Sequence, residues 1–222
     1  MIIPVSVKNQ SIDSSGITSD YKAAISEYVW NGFEANATKV SIEYTHNEAF
    51  GVKELIIKDN GEGINYNELG ETFGAFLASK KNLLSLQMKS KANKGKGRFS
   101  FIAFSNNAEW HTVYKDNDVY KEYDIAMSSD KKEVIDCSEP QLSEQNATGT
   151  EVRFFNINTL TVENMSFEVI ESALLKDFAW FLYLYKNKDA EIIVNGEKID
   201  YKKYINTDLS EKVMVTIDGY RF

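Results

Sequence analysis

The chain of 222 residues carries a single cysteine, Cys137, so no internal disulfide can form and a reducing compartment fits. Its two histidines, His46 and His111, lie far from each other and from Cys137. The three show no metal-ligand spacing and read as structural. Positive charge is in short supply. There are 25 Lys and Arg against 33 Asp and Glu, a formal net charge of -8. That excludes a general basic footprint for nucleic acid, although it leaves room for a local patch. No apolar run reaches the roughly 18 residues that a membrane span needs. The opening stretch "MIIPVSVKNQ" has no charged segment followed by a long apolar one, so no secretory signal is visible. No internal repeat is visible either. A soluble, cytoplasmic protein is the expectation.

What is present is ample material for a core. With 43% hydrophobic and 13% aromatic residues, the chain can bury one sizeable domain, or one domain and part of a second. "SDYKAAISEYVWNGFEANA" opens on a Ser19-Asp20 capping signal, and Ala24, Ile25, Tyr28, Val29 and Phe33 recur at helical spacing. "KVSIEYTH" and "KELIIKD" read as two strands joined by a polar turn, and "NGEGI" as a glycine-rich turn. "NELGETFGAFLAS" reads as one or two short helices, residues 80–96 as a mobile loop rich in Lys, Asn and Ser, and "RFSFIAFS" as the start of a short helix. Strands follow near "AEWHTVYK", "VYKEYDIAM", "KEVIDCS" and "GTEVRFFNI". A long amphipathic helix in "ENMSFEVIESALLKDFAWFLYLYK" then precedes a strand and Asn-Gly turn in "EIIVNGEKID". Helices and mostly antiparallel strands are mixed without regular βαβ alternation. The expected fold is an α/β (α+β) two-layer sandwich, a mixed, mostly antiparallel sheet with helices on one face.

Four local features carry candidate chemistry. Glu27 and Asn31 are one helical turn apart and share a face. An amide oxygen there can ligate Mg²⁺, and a carboxylate can take a proton from water; a solvated polar face is the plainer reading. Asp59 sits at a strand tip before Gly61 and Gly63, which let the backbone approach a ligand closely. Its carboxylate can accept from an exocyclic amine, or it is part of an ordinary turn. Gly95 and Gly97 flank Lys96 ahead of Arg98 at a helix start, where backbone N–H groups can bind phosphate. Neither a Walker A loop nor the dinucleotide fingerprint is present. Thr150 opens a strand, where its hydroxyl can support a carboxylate or simply favour β structure.

Taken in order, "SEYVWNGFEANATKVSIEY", "IKDNGEGI", "GKGRFSF" and "TGTEVRFF" resemble the four motifs of the GHKL ATPases: gyrase, heat-shock chaperones, histidine kinases and MutL. The first motif is closest in pattern to the MutL, MORC and heat-shock chaperone branch. The resemblance covers about residues 20–200 and implies the Bergerat ATP-binding fold, with ATP or ADP and Mg²⁺ as ligands. It implies Glu27 as the general base, Asn31 as the Mg²⁺ ligand, and Asp59 as acceptor for the adenine amine, backed by Thr150. Gly61 and Gly63 would shape the floor beneath the base. Gly95, Lys96, Gly97 and Arg98 would close over the phosphates, with Phe99 continuing the helix. Residues 80–97 would be the ATP lid, and Lys80, in an element similar to the Ser/Thr-Lys pair before the lid, would reach a phosphate or remain a solvated loop lysine. Glu34 departs from the pattern, standing where aspartate is commoner.

The resemblance implies an ATP-hydrolysing switch that homodimerises with ATP, its client unidentified. The alternatives are an ATP-sensing module without turnover and a histidine kinase domain. The expected organisation is an ATP-binding domain over 1–200. Residues 201–222 would form a linker and the first strand of a transducer domain, which makes the chain an N-terminal piece of a longer protein.

Overall fold

The computed structural model describes residues 2–4, 17–73, 97–206, 216–217 and 220–221. Residues 74–96 lie outside the described residues, and with them all of the expected lid, including Lys80, Gly95 and Lys96, except Gly97.

The first helix, α1 (Tyr21–Glu34), starts where the Asp20 side chain accepts the Lys22 N–H at 2.9 Å. This satisfies one of the donors that a helix start leaves unpaired. Ala24, Ile25, Tyr28, Val29 and Phe33 are buried along one stripe. The chain turns out of α1 through Asn36, whose φ of 62° is the left-handed conformation that asparagine tolerates. A second α-helix, α2 (Leu69–Thr72), is one turn long and follows a 3₁₀ turn at Tyr66–Glu68. The long helix, α3 (Phe167–Leu184), packs on α1 through aromatic rings. Trp30 meets Phe178 at 4.4 Å between centroids and Phe33 meets Phe181 at 4.5 Å.

The strands are β1 (Ile2–Pro4), β2 (Lys39–His46), β3 (Val52–Asp59), β4 (Ser105–Asp116), β5 (Val119–Ser128) and β6 (Val134–Cys137). They continue with β7 (Gln141–Leu142), β8 (Gly149–Ile157), β9 (Glu191–Val194) and β10 (Glu197–Lys198). All ten join one sheet in the order β1-β6-β5-β4-β8-β3-β2-β9-β10, with β7 on β5. Among the described residues, the β2–β9 pair is the one parallel pairing; α3 makes the crossover toward it. β9 and β10 turn at Asn195 and Gly196, both at positive φ, as an Asn-Gly hairpin requires. Two short strands, β11 (Thr216–Ile217) and β12 (Tyr220–Arg221), pair separately.

Alternation along the strands buries one face of the sheet beneath the helices. Registered across β3, β8 and β4, the inward side chains form rows: Leu55–Phe154–Ala108, then Ile57–Val152–Trp110, then the half-buried Asp59 with the buried Thr150 and Thr112. Two apolar rows are thus followed by a polar one at the strand tips. The opposite face is charged and solvated. It carries the Lys58–Glu151 and Arg153–Glu151 pairs and His111 against Asp124 at 2.8 Å. The two-layer sandwich expected from the sequence is the observed architecture. Beyond residue 200, the 3₁₀ turn Tyr201–Lys203 packs on α3, where Lys203 meets the buried Glu171 carboxylate at 2.8 Å.

Candidate functional site

The polar row exists because β3 ends in an acid where its inward pattern calls for an apolar residue. Asp59 is held at the foot of α1 by Gly32. A Cβ on Gly32 would lie 2.9 Å from Asp59 Cβ and 3.0 Å from Val40 Cγ2, so only glycine lets the helix seat this closely. Burial raises the Asp59 carboxyl above the ordinary carboxylate value, and the backbone N–H groups of Gly61 and Thr150 pull it partly back. The Gly61 N–H donates to Asp59 Oδ1 at 2.8 Å. Thr150 stands opposite Asp59 on β8, and its hydroxyl lies 3.1 Å from that of Thr112 on β4.

The glycine loop after Asp59 is clamped from two sides. Asn60 Oδ1 accepts the N–H groups of Thr38 and Lys39 at 2.9 and 2.8 Å, and the Glu62 N–H donates to Ala35 O at 2.8 Å. Ile64 N–H donates to Thr112 Oγ1 at 2.9 Å. At Gly63 the φ is +73°, and a Cβ would fall 2.1 Å from Val113 O. Close approach and left-handed backbone both demand glycine there.

The other end of the site is built on the exposed edge of α1. Glu27 and Asn31 are half-buried. The turn that begins at Gly97 comes down over them: a Cβ on Gly97 would lie 3.3 Å from Glu27 Oε2 and 3.7 Å from Asn31 Oδ1. This segment, expected to start a short helix, is a 3₁₀ helix spanning Gly97–Ala103. It is anchored from below by the buried Tyr28 hydroxyl, which donates to Arg98 O at 3.0 Å.

Of the residues singled out in the sequence, the structure brings Glu27, Asn31 and Gly97 together at one end. Asp59, Gly61, Gly63 and Thr150 meet at the other. Asn31 and Gly32, neighbours on α1, join the two. Arg98 and Phe99 lie elsewhere. Phe99 is wholly buried in the core, and the Arg98 guanidinium is buried 4.7 Å from the Phe99 ring centroid and 5.9 Å from that of Phe73. Burial lowers the Arg98 pKa to about 10. The sequence reading missed Gly32, Tyr28 and Thr112. For Thr112 a signal exists: a polar residue between Trp110 and Tyr114 at an inward strand position.

Among the described residues no group of three or more His, Cys, Asp or Glu could hold a metal ion by itself. The donor set nonetheless suits Mg²⁺. Asn31 offers a hard amide oxygen, and this ion takes few protein ligands, filling its shell from phosphate and water.

The site thus combines a sheet covered by helices on one face, an acid at a central strand tip and a Glu–Asn helix edge beside it. A family model described as histidine kinase-, DNA gyrase B-, and HSP90-like ATPase matches residues 18–159. The match spans more than half of the chain and includes both ends of the site, and the chain belongs to this GHKL-type ATPase family. No curated protein matches it. Among the described residues no helix is long and apolar enough to cross a membrane.

Proposed function

We propose that the chain is a Mg²⁺-dependent, ATP-hydrolysing domain, with the base read at the strand tips and the phosphates handled on α1. The carrying observation is the convergence of Glu27 and Asn31 beneath Gly97, one residue along α1 from the glycine that seats against Asp59. The exocyclic amine of adenine donates to the Asp59 carboxylate, with Thr150 as a second polar contact. Gly61 and Gly63 leave the loop backbone free to lie against the base.

At the other end, Asn31 offers its amide oxygen to the metal that accompanies ATP; bound there, Mg²⁺ neutralises phosphate charge. Glu27 takes the proton from the attacking water. The Gly97 backbone closes on the phosphate side, and Lys80, Gly95 and Lys96 join it in this reading. Arg98 and Phe99 act indirectly, by fixing the turn that carries Gly97. The wider reading is a cytoplasmic switch in which ATP associates two copies and hydrolysis separates them.

Steady-state ATP hydrolysis, paired with titration of a non-hydrolysable analogue, tests the reading. Glu27→Ala is expected to bind the analogue within about threefold of the wild type and to lose about 10²–10⁴ in turnover. Binding without turnover in the wild type would leave an ATP-sensing module, and equal turnover in the variant would remove Glu27 as the base.

A further inference from the structure

Thr112 is fully buried on β4, beyond the direct reach of solvent. Its hydroxyl oxygen has three neighbours: Ile64 N–H at 2.9 Å, Thr150 Oγ1 at 3.1 Å and the Gly149 carbonyl at 3.3 Å. A hydroxyl has one proton and two lone pairs. The Ile64 N–H can only donate and the Gly149 carbonyl can only accept. One assignment satisfies all three contacts. Thr112 accepts from Ile64, donates to Gly149, and accepts from Thr150. The Thr150 proton is thereby committed toward β4, and the Thr150 oxygen is left with lone pairs alone on the side of Asp59, its register partner.

We infer that Thr112 is a positioning residue for nucleobase specificity, which holds Thr150 as an acceptor beside the acceptor Asp59. Two acceptors at one edge favour a base that donates there, such as adenine through its amine. They disfavour a base with a carbonyl at that place, such as hypoxanthine or guanine, because two facing acceptors leave a buried polar group unpaired. The same hydroxyl ties the glycine loop, through Ile64, to the strand row that carries Thr150. Loop and row are therefore set by one group. The inference rests on the reading of Asp59 as the base contact.

The test is calorimetric titration of ADP and of inosine diphosphate, whose base carries a carbonyl in place of the amine. The proteins are the wild type, Thr112→Val, Thr112→Ser, Thr150→Val and the Thr112→Val/Thr150→Val double variant. The wild type is expected to prefer ADP. Thr112→Val frees the Thr150 proton to meet a carbonyl, and the preference should fall by about five- to tenfold. Thr112→Ser, which keeps the hydroxyl, should stay within about twofold of the wild type. With Thr150 already replaced by Val, the Thr112 change should shift the ratio no further, because Thr112 acts through Thr150. Should Thr112→Val fail to fold, Thr112→Cys replaces it, since a thiol is a weak acceptor. An unchanged ratio in the folded Val or Cys variant overturns the inference alone, as does an equal fall in the Thr150→Val background. A wild type that binds both nucleotides equally overturns the reading of Asp59, and this inference with it.

Discussion

The two ends of the site are built by different means. The base end is a row of side chains on three paired strands, Asp59, Thr150 and Thr112, with a glycine loop clamped against it by side-chain and backbone hydrogen bonds. Its positions are set by strand register, which a ligand does not need to supply. The phosphate end is a half-exposed helix edge, Glu27 and Asn31, under a 3₁₀ turn that touches it through a glycine. Those two side chains sit on a half-exposed helix edge rather than in a row registered across paired strands. The contrast suits the proposed division of labour, with base contacts preorganised by strand register and phosphate contacts on a partly solvated helix edge.

If that contrast is right, damage to the base end should appear in stability and in affinity together. Gly63→Ala would force a side chain onto Val113 O at positive φ. It is expected to cost about 3 kcal/mol of folding stability, read by denaturant unfolding, and to weaken ADP binding in whatever remains folded. Damage to the phosphate end should spare stability. Asn31→Ala, on a half-exposed helix face, should leave the unfolding midpoint nearly unchanged. It should weaken Mg·ATP by about 1.5–3 kcal/mol, the scale of an interaction with a charged partner, and leave metal-free ADP unaffected. Titrations with and without Mg²⁺ measure the difference. The smallest effect is expected at Gly70 in α2, where a Cβ would meet nothing within 4 Å. Gly70→Ala should stabilise by about 0.5 kcal/mol through the unfolded chain and change no binding constant. A destabilised Gly70→Ala would show that glycine sensitivity is general rather than confined to the site.

The sandwich was legible because its elements follow simple periods. The α1 stripe from Ala24 to Phe33, the inward alternation of β3 and the Asn195-Gly196 turn can each be read from a short window. Glu27 with Asn31, and Asp59 with its two glycines, were legible for the same reason, as both sets are local. Thr112 was not. Its partners Ile64, Gly149 and Thr150 lie 37 to 48 residues away and meet it only through strand register and the return of the glycine loop. Gly32 is local in sequence, but its use depends on the approach of β3. Arg98 and Phe99 follow a glycine in a motif that reads as phosphate-facing. Within the short turn Gly97–Ala103, however, the apolar side chains Phe99 and Phe101 take the buried side and Arg98 packs among rings with them.

Asp59 joins stability to function with opposite signs. Its raised carboxyl means that the folded protein holds this proton more tightly than the unfolded chain. The stabilisation from protonating it is complete below the unfolded value of 3.8 and is lost as pH rises through the higher folded value. At neutral pH the Asp59 charge is therefore a cost to the fold, one that the proposed contact with the base would require. Nucleotide affinity should show the complementary trend. It should fall, as pH falls, from a point above the ordinary aspartate range, and this fall should be absent when Asp59 is replaced by Asn.

Calorimetric titration of ADP into the wild type and Asp59→Asn at pH 7 tests the central claim most directly, that the strand-tip acid reads the base. The account predicts that the variant loses about 1.5–3 kcal/mol of binding, while its melting temperature is no lower than that of the wild type. Equal affinity in the two proteins would contradict it.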